Sequence, residues 1–160
     1  HQGHLHQCAT PQDLVRRPAT PFVGRFVLQG NLLPAQLAAD RLLTPLGRFA
    51  LPEGELPPEV PSGDRQLLLT PESLTLEPIE AGEGAEAGDG AHSTATARVL
   101  GREFLGREWL YSVELGALLL RVRLPLEHNH GRGTLCRLGL QPGASGLLYP
   151  GATPVRPHRS

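Results

Sequence analysis

The chain has 160 residues, enough for one ordinary domain, or one domain with an appendage, built on a real hydrophobic core. Fifteen Lys+Arg against sixteen Asp+Glu leave a formal charge of −1, so no global field draws nucleic acid or an anionic membrane. No apolar run approaches the roughly 20 residues of a transmembrane helix.

Gly 19 and Pro 16 sit among abundant Leu and Val, which predicts short strands separated by many turns rather than disorder. No apolar h-region opens the chain, so no signal peptide is expected. The lack of any Met, initiator included, agrees with a fragment or a processed chain. Cys8 and Cys136 lie too far apart for a metal or redox spacing and read as small buried hydrophobes in a reducing compartment.

Residues 1–29 read as a short strand and two helices. Thr10 as N-cap, Pro11 at N1 and Asp13 at N3 start the first helix. Leu14 and Val15 turn inward, Arg16 and Arg17 stand near the negative helix end, and Pro18 stops it. Thr20-Pro21 repeats the device, and Phe22, Val23, Phe26 and Val27 give the second helix one apolar face.

From Gly30 the pattern changes to strands. Residues 31–35 open the first, and residues 41–44 and 48–51 flank Pro45-Leu46-Gly47 as a hairpin. A Pro- and Glu-rich connector over 53–64 leads to a buried strand at 65–70, with Leu67-Leu68-Leu69 as its core. Residues 79–93 hold an acidic, low-complexity run around Ala81-Gly82-Glu83-Gly84, read as a mobile loop. The D-x-D-x-D-G pattern of a calcium loop is missing there.

Strands are predicted again at 96–105, 109–115 and 118–124, with Gly106 as a break and Gly116-Ala117 as a turn. Leu120, Val122 and Leu124 alternate with Arg121 and Arg123, which gives one dry face and one wet face. Cys136, Leu138 and Leu140 alternate similarly with Arg137 and Gly139. The expected fold is mainly β, an OB-like small barrel preceded by a short strand and two helices.

Several segments, taken in order, resemble the C-terminal region of the ATP-binding subunits of ABC importers. Gly3-His4-Leu5-His6-Gln7-Cys8-Ala9-Thr10-Pro11 is similar to the strand that closes the nucleotide-binding domain. Gln12-Asp13-Leu14-Val15-Arg16-Arg17-Pro18-Ala19 and Pro21-Phe22-Val23-Gly24-Arg25-Phe26 are similar to the two helices after it, and Asn31 to the Asn of the next strand. Leu67-Leu68-Leu69-Thr70-Pro71-Glu72-Ser73-Leu74 resembles the (I/L)-R-P-E-x-(I/L) element of the TOBE domain. Glu103-Phe104-Leu105-Gly106 with Tyr111-Ser112-Val113 resembles its F-L-G…Y-x-V hairpin, and residues 133–140 with 146–150 its closing strands. The resemblance runs from Gly3 to Pro150. Thr70 departs from the usual Arg, Val15 from the usual Tyr, and Gly24 from the usual Ala.

The resemblance implies residues 1–29 as the end of a nucleotide-binding domain and residues 30–160 as a TOBE/OB-like regulatory domain. It implies a bacterial importer of ferric iron, another inorganic ion or a polyamine. It implies a homodimer held through the β-domains, permease subunits reached through the nucleotide-binding domain, and a place at the inner face of the plasma membrane without insertion. Asn31, Pro71, Glu72, Phe104, Leu105, Gly106 and Tyr111 are the motif residues expected to structure or regulate that domain. ATP and Mg would belong to the parent subunit, with no cofactor in this stretch.

Read residue by residue, catalysis finds no support. A Gly-x-Ser-x-Gly elbow and a carboxylate pair in an apolar setting are both missing. The P-loop pattern is absent too, and the chain contains no Lys, so it cannot make the P-loop lysine's phosphate contact. His1, His4 and His6, and His128 with His130, invite a metal, but sequence places no third ligand, and no metal is expected. Arg121, Arg123 and Arg137 are the only groove an OB barrel could offer a single strand, and the aromatics are expected mostly in the core, so nucleic acid is not expected. An alternative reading is a free-standing OB module for a small oxyanion or ion.

Overall fold

A computed structural model describes residues 18–27, 29–57, 59–80 and 95–158. The predicted first strand and first helix, Cys8, the N-terminal histidines and most of the acidic run lie outside the described residues. The one α-helix described before the strands is α1, Pro21–Val27. Thr20 starts it as expected: its Oγ1 accepts from the Val23 backbone N–H at 3.3 Å. Val23 is buried, Phe22 is 39% exposed, and the side chains of Phe26 and Val27 lie outside the described set. The expected single apolar face is therefore seen only at Val23.

The strands form two antiparallel sheets. One contains β1 (Asn31–Ala38), β2 (Arg41–Thr44), β3 (Gly47–Ala50), β4 (Gly63–Leu69), β10 (Gly146–Tyr149) and β11 (Thr153–Val155). Its order is β11-β10-β4-β1-β2-β3. The other contains β5 (Leu74–Pro78), β6 (Ala95–Phe104), β7 (Glu108–Leu115), β8 (Leu118–Pro125) and β9 (Leu135–Leu140), in the order β5-β9-β6-β7-β8. The six-stranded sheet curls on itself: His158, just past β11, exchanges backbone hydrogen bonds of 2.8 and 3.0 Å with Ala50 of β3 at the far edge. The expected small barrel is thus realised as two sheets over one core.

Strand alternation explains that core. In β1 the pattern is buried at Asn31, Leu33, Ala35 and Leu37 and exposed at Pro34, Gln36 and Ala38. In β8, Leu120, Val122 and Leu124 are buried while Arg121 is exposed and Arg123 half-buried. β9 departs from its expectation, since Gly139 is buried and Leu140 only half-buried. Leu33, Leu67 and Leu69 of one sheet share a single cluster with Leu74, Val113 and Leu138 of the other. Each fully buried Leu contributes about 1.5–3 kcal/mol against exposure.

The chain leaves the six-stranded sheet between β4 and β5 and returns to it between β9 and β10. A 3₁₀ turn, Pro71–Ser73, joins β4 to β5. Pro71 is buried at the first position, where a missing N–H costs nothing. The Thr70 and Ser73 hydroxyls lie 2.8 Å apart, the Ser73 N–H donates to the Thr70 carbonyl, and the Ser73 carbonyl accepts from the Gln141 N–H at 2.8 Å.

Candidate functional site

Asn31 opens β1 on the six-stranded sheet, yet its side chain works on the other sheet. Its Nδ2 donates to the Arg121 carbonyl at 2.7 Å, and its Oδ1 accepts from the Arg121 N–H at 2.7 Å. The amide so completes the hydrogen bonding of one residue on β8, the edge strand, and ties the two sheets together. Only a side chain with a donor and an acceptor on one carbon does this, which is a physical reason for Asn at this place.

Beside this joint is an open cleft of about 550 Å³, lined by Phe22, Arg25, Gln29, Gly30, Asn31, Leu119 and Arg121. It lies where α1 and the turn into β1 meet the edge of the five-stranded sheet. Gln29 holds a left-handed backbone at φ 50°, unusual for a residue with a side chain. Gly30 follows because space is short: a Cβ there would stand 2.6 Å from Leu68 Cδ1.

A second cluster surrounds Tyr111, which is fully buried on β7. Its hydroxyl donates to the His128 carbonyl at 2.8 Å and accepts from the His130 N–H at 3.1 Å. One phenol thereby pins the loop between β8 and β9. The His130 ring lies 5.5 Å from Tyr111 and 6.1 Å from His128, centroid to centroid. His130 is buried and its Nε2 has no hydrogen-bond partner. Burial and the charge of His128 push its pKa below the ordinary 6.5, a hydrogen bond with the Leu76 backbone works the other way, and Arg102 lowers it further. Among the described residues no three His, Cys, Asp or Glu come together as a metal site.

Of the remaining motif residues, Pro71 is buried at the corner between the sheets and the others are exposed. Phe104, Leu105 and Gly106 form the tip of the β6–β7 hairpin, with Phe104 59% and Leu105 40% exposed. Gly106 has φ +92°, which the tight turn requires of it. Phe104 meets Trp109 edge to face at 5.5 Å, and the Arg102 guanidinium lies 4.1 Å above the Trp109 ring while donating to Asn129. Glu72 is exposed at the inter-sheet corner. Asn31, paired with Leu69, lies beside the Pro71–Glu72 corner, whereas the Phe104 tip and Tyr111 stand apart from it on β6 and β7. The expectation that the aromatics mostly fill the core fails for Phe22 and Phe104, because one stands on a helix surface and the other past the core-covered end of its sheet.

Sequence reading missed Tyr149 and the backbone role of Arg121. The Tyr149 hydroxyl, buried, donates to the Pro18 carbonyl at 2.6 Å, and burial pushes its pKa up to about 12. The signal was a lone aromatic ending the Leu147-Leu148-Tyr149 strand, which names no partner 131 residues away. Arg121 was visible only as part of a charged face.

The model of the TOBE domain family matches residues 67–148. A Fe(3+) ions import ATP-binding protein of Streptomyces avermitilis is 33% identical over 96 residues, covering 60% of this chain and 24% of the relative. An sn-glycerol-3-phosphate import ATP-binding protein of Chromohalobacter salexigens is 34% identical over 146 residues, covering 80% of this chain and 37% of the relative. A sulfate/thiosulfate import ATP-binding protein of Mesorhizobium japonicum is 28% identical over 157 residues, covering 94% of this chain and 39% of the relative. The chain thus spans between a quarter and two fifths of the length of these curated relatives.

Proposed function

The chain belongs to the TOBE domain family, and from that premise we propose that it is the regulatory and dimerising C-terminal portion of the ATP-binding subunit of a bacterial ABC importer. The observation that carries this reading is the reach of the similarity. The family model covers residues 67–148 alone, yet the match to the sulfate/thiosulfate import protein takes in 94% of the chain. That leaves too few unmatched residues to exclude the thirty that precede β1. Those residues are, in this reading, the last piece of a nucleotide-binding domain, and the regulatory domain begins at residue 30.

The parent subunit would bind ATP and Mg and hydrolyse ATP. This stretch brings no P-loop lysine, since the chain has no Lys, and its own part is to hold two subunits together and restrain transport. Permease subunits would be its membrane-embedded partners, reached through the nucleotide-binding domain at the inner membrane face. No helix among the described residues is long and apolar enough to cross a membrane. The cargo proposed is ferric iron or another small ion or solute. The relatives' own names give iron, glycerol phosphate, polyamines and sulfate.

Two measurements test the reading. The coding sequence upstream of the His1 codon should continue in frame through a P-loop, a signature motif and a Walker B carboxylate. A start codon immediately upstream would overturn the importer assignment. Light scattering of this chain should give twice its 17.2 kDa, and a monomer at tens of micromolar would overturn the dimerising role.

A further inference from the structure

The loop between β8 and β9, residues 126–134, is fastened by backbone at its ends and by side chains in its middle. At one end the His128 N–H donates to the Pro125 carbonyl at 3.1 Å. At the other the Gly133 N–H donates to the Val99 carbonyl at 2.7 Å, and the Thr134 carbonyl accepts from the Val99 N–H at 2.9 Å. Between them the Tyr111 hydroxyl holds the His128 carbonyl and the His130 N–H. The Arg102 guanidinium holds Asn129, and the His130 ring bonds the Leu76 backbone.

The His130 ring is badly placed to take a proton. The residue is only 7% exposed, and its Nε2 is buried with no hydrogen-bond partner. A proton on that nitrogen would be a buried donor without an acceptor. Two groups also repel a charge there: the His128 imidazole of the same loop, with ring centroids 6.1 Å apart, and the Arg102 guanidinium of β6. From β7 it meets the Tyr111 phenol, ring centroids 5.5 Å apart, and from β5 the Leu76 backbone. No carboxylate is among these groups. Burial first, and then His128 and Arg102, hold the His130 pKa below the ordinary 6.5.

We propose that His128 and His130 form an acid-operated latch, in which protonation of His130 frees the middle of this loop from Tyr111 while the two sheets stay closed. An opened loop puts the imidazole in water, where it takes a proton at the ordinary pH, whereas the closed loop takes one only at lower pH. Acid therefore favours the open form. Below pH 6.5 the ratio of open to closed loop rises by up to tenfold per pH unit, until the closed form is protonated as well. Opening stays local because the Gly133 and Thr134 bonds to Val99 continue the β6–β9 ladder and keep the end of the loop in place. The latch belongs to this loop and stands whether or not the chain is part of an importer subunit.

The test is amide hydrogen exchange of the 160-residue chain, read by NMR as protection relative to an unstructured peptide at the same pH. Protection of the His130 N–H should fall by up to tenfold per pH unit below 6.5. It should not respond to low urea, the mark of an opening that exposes little surface. Protection of Val113, on a strand paired along both edges, should be higher and should fall with urea. His130→Gln should remove the pH-dependence at residue 130, and His128→Gln should reduce it. His158→Gln, at an exposed position on the six-stranded sheet, should leave it unchanged. Equal protection and equal urea response at His130 and Val113 would mean that the loop opens only with the whole protein, and overturns the latch. An unchanged pH-dependence in His130→Gln or in His128→Gln overturns it too, so one misfolded variant leaves the other to decide.

Discussion

At the scale of single residues, buried polar groups do most of the specifying. Tyr111 uses its one hydroxyl twice, donating to the His128 carbonyl and accepting from the His130 N–H. Tyr111→Phe keeps the ring in the core and strands both backbone groups, so it should cost about 1–3 kcal/mol. A shift of that size in the urea midpoint, with faster amide exchange at His130, is the expected result. His130 beside it makes stability depend on pH. Its pKa is lowered in the folded protein, so the unfolded chain binds the proton more readily. Its contribution is therefore whole above pH 6.5 and is lost as pH falls below that value. Repulsion from His128 and from the Arg102 guanidinium adds to the loss. Urea midpoints of the wild type and His130→Gln between pH 8 and pH 5 should converge on acidification, and a constant gap would show that His130 does not titrate as a buried base.

At the scale of elements, two joints decide how strands and sheets meet. The Asn31 amide reaches from β1 to the edge strand β8 and needs both its donor and its acceptor. Asn31→Ala should cost about 1–3 kcal/mol. Asn31→Asp should not rescue it, because a second acceptor would face the Arg121 carbonyl. Equal stability of wild type and Asn31→Asp in thermal unfolding would refute that account. β10 meets β4 at Gly146, where a Cβ would stand 2.8 Å from the Leu68 carbonyl oxygen and 2.9 and 3.0 Å from the Leu69 and Leu67 side chains. Backbone cannot yield as a side-chain tip can, so Gly146→Ala should destabilise by about 1–3 kcal/mol. The β6–β7 hairpin tip is different. Phe104 is mostly in solvent, and Phe104→Ser should change stability by less than about 1 kcal/mol.

For the whole molecule, the arrangement is two sheets closed by a few long-range ties. The Tyr149–Pro18 bond links the segment before α1 to β10, and the Ala50–His158 bridge joins opposite edges of the six-stranded sheet. Tyr149→Phe should free the Pro18 carbonyl and cost about 1–3 kcal/mol. It should also raise protease sensitivity near α1 more than at β7. These ties matter because a small β fold cannot leave long edges unpaired without inviting association.

Much of the fold is legible in the sequence because strand patterns are local. Alternation at Leu120, Val122 and Leu124 told inside from outside, the Pro45-Leu46-Gly47 turn marked the β2–β3 hairpin, and the order of motifs pointed to the TOBE family. β11 and the last part of β1 were not read, since Thr153-Pro154-Val155 and Gln36-Leu37-Ala38 carry little pattern of their own and gain their pairing from neighbours. The candidate site was less legible still. Which amide crosses between sheets and which phenol holds a loop are facts about residues 17 to 131 positions apart. Sequence alone determined period, turn and family, because each depends on residues a few positions apart. Tertiary structure alone decided the two-sheet closure, the Asn31 joint and the Tyr149–Pro18 tie, because only folding sets distances between segments remote along the chain.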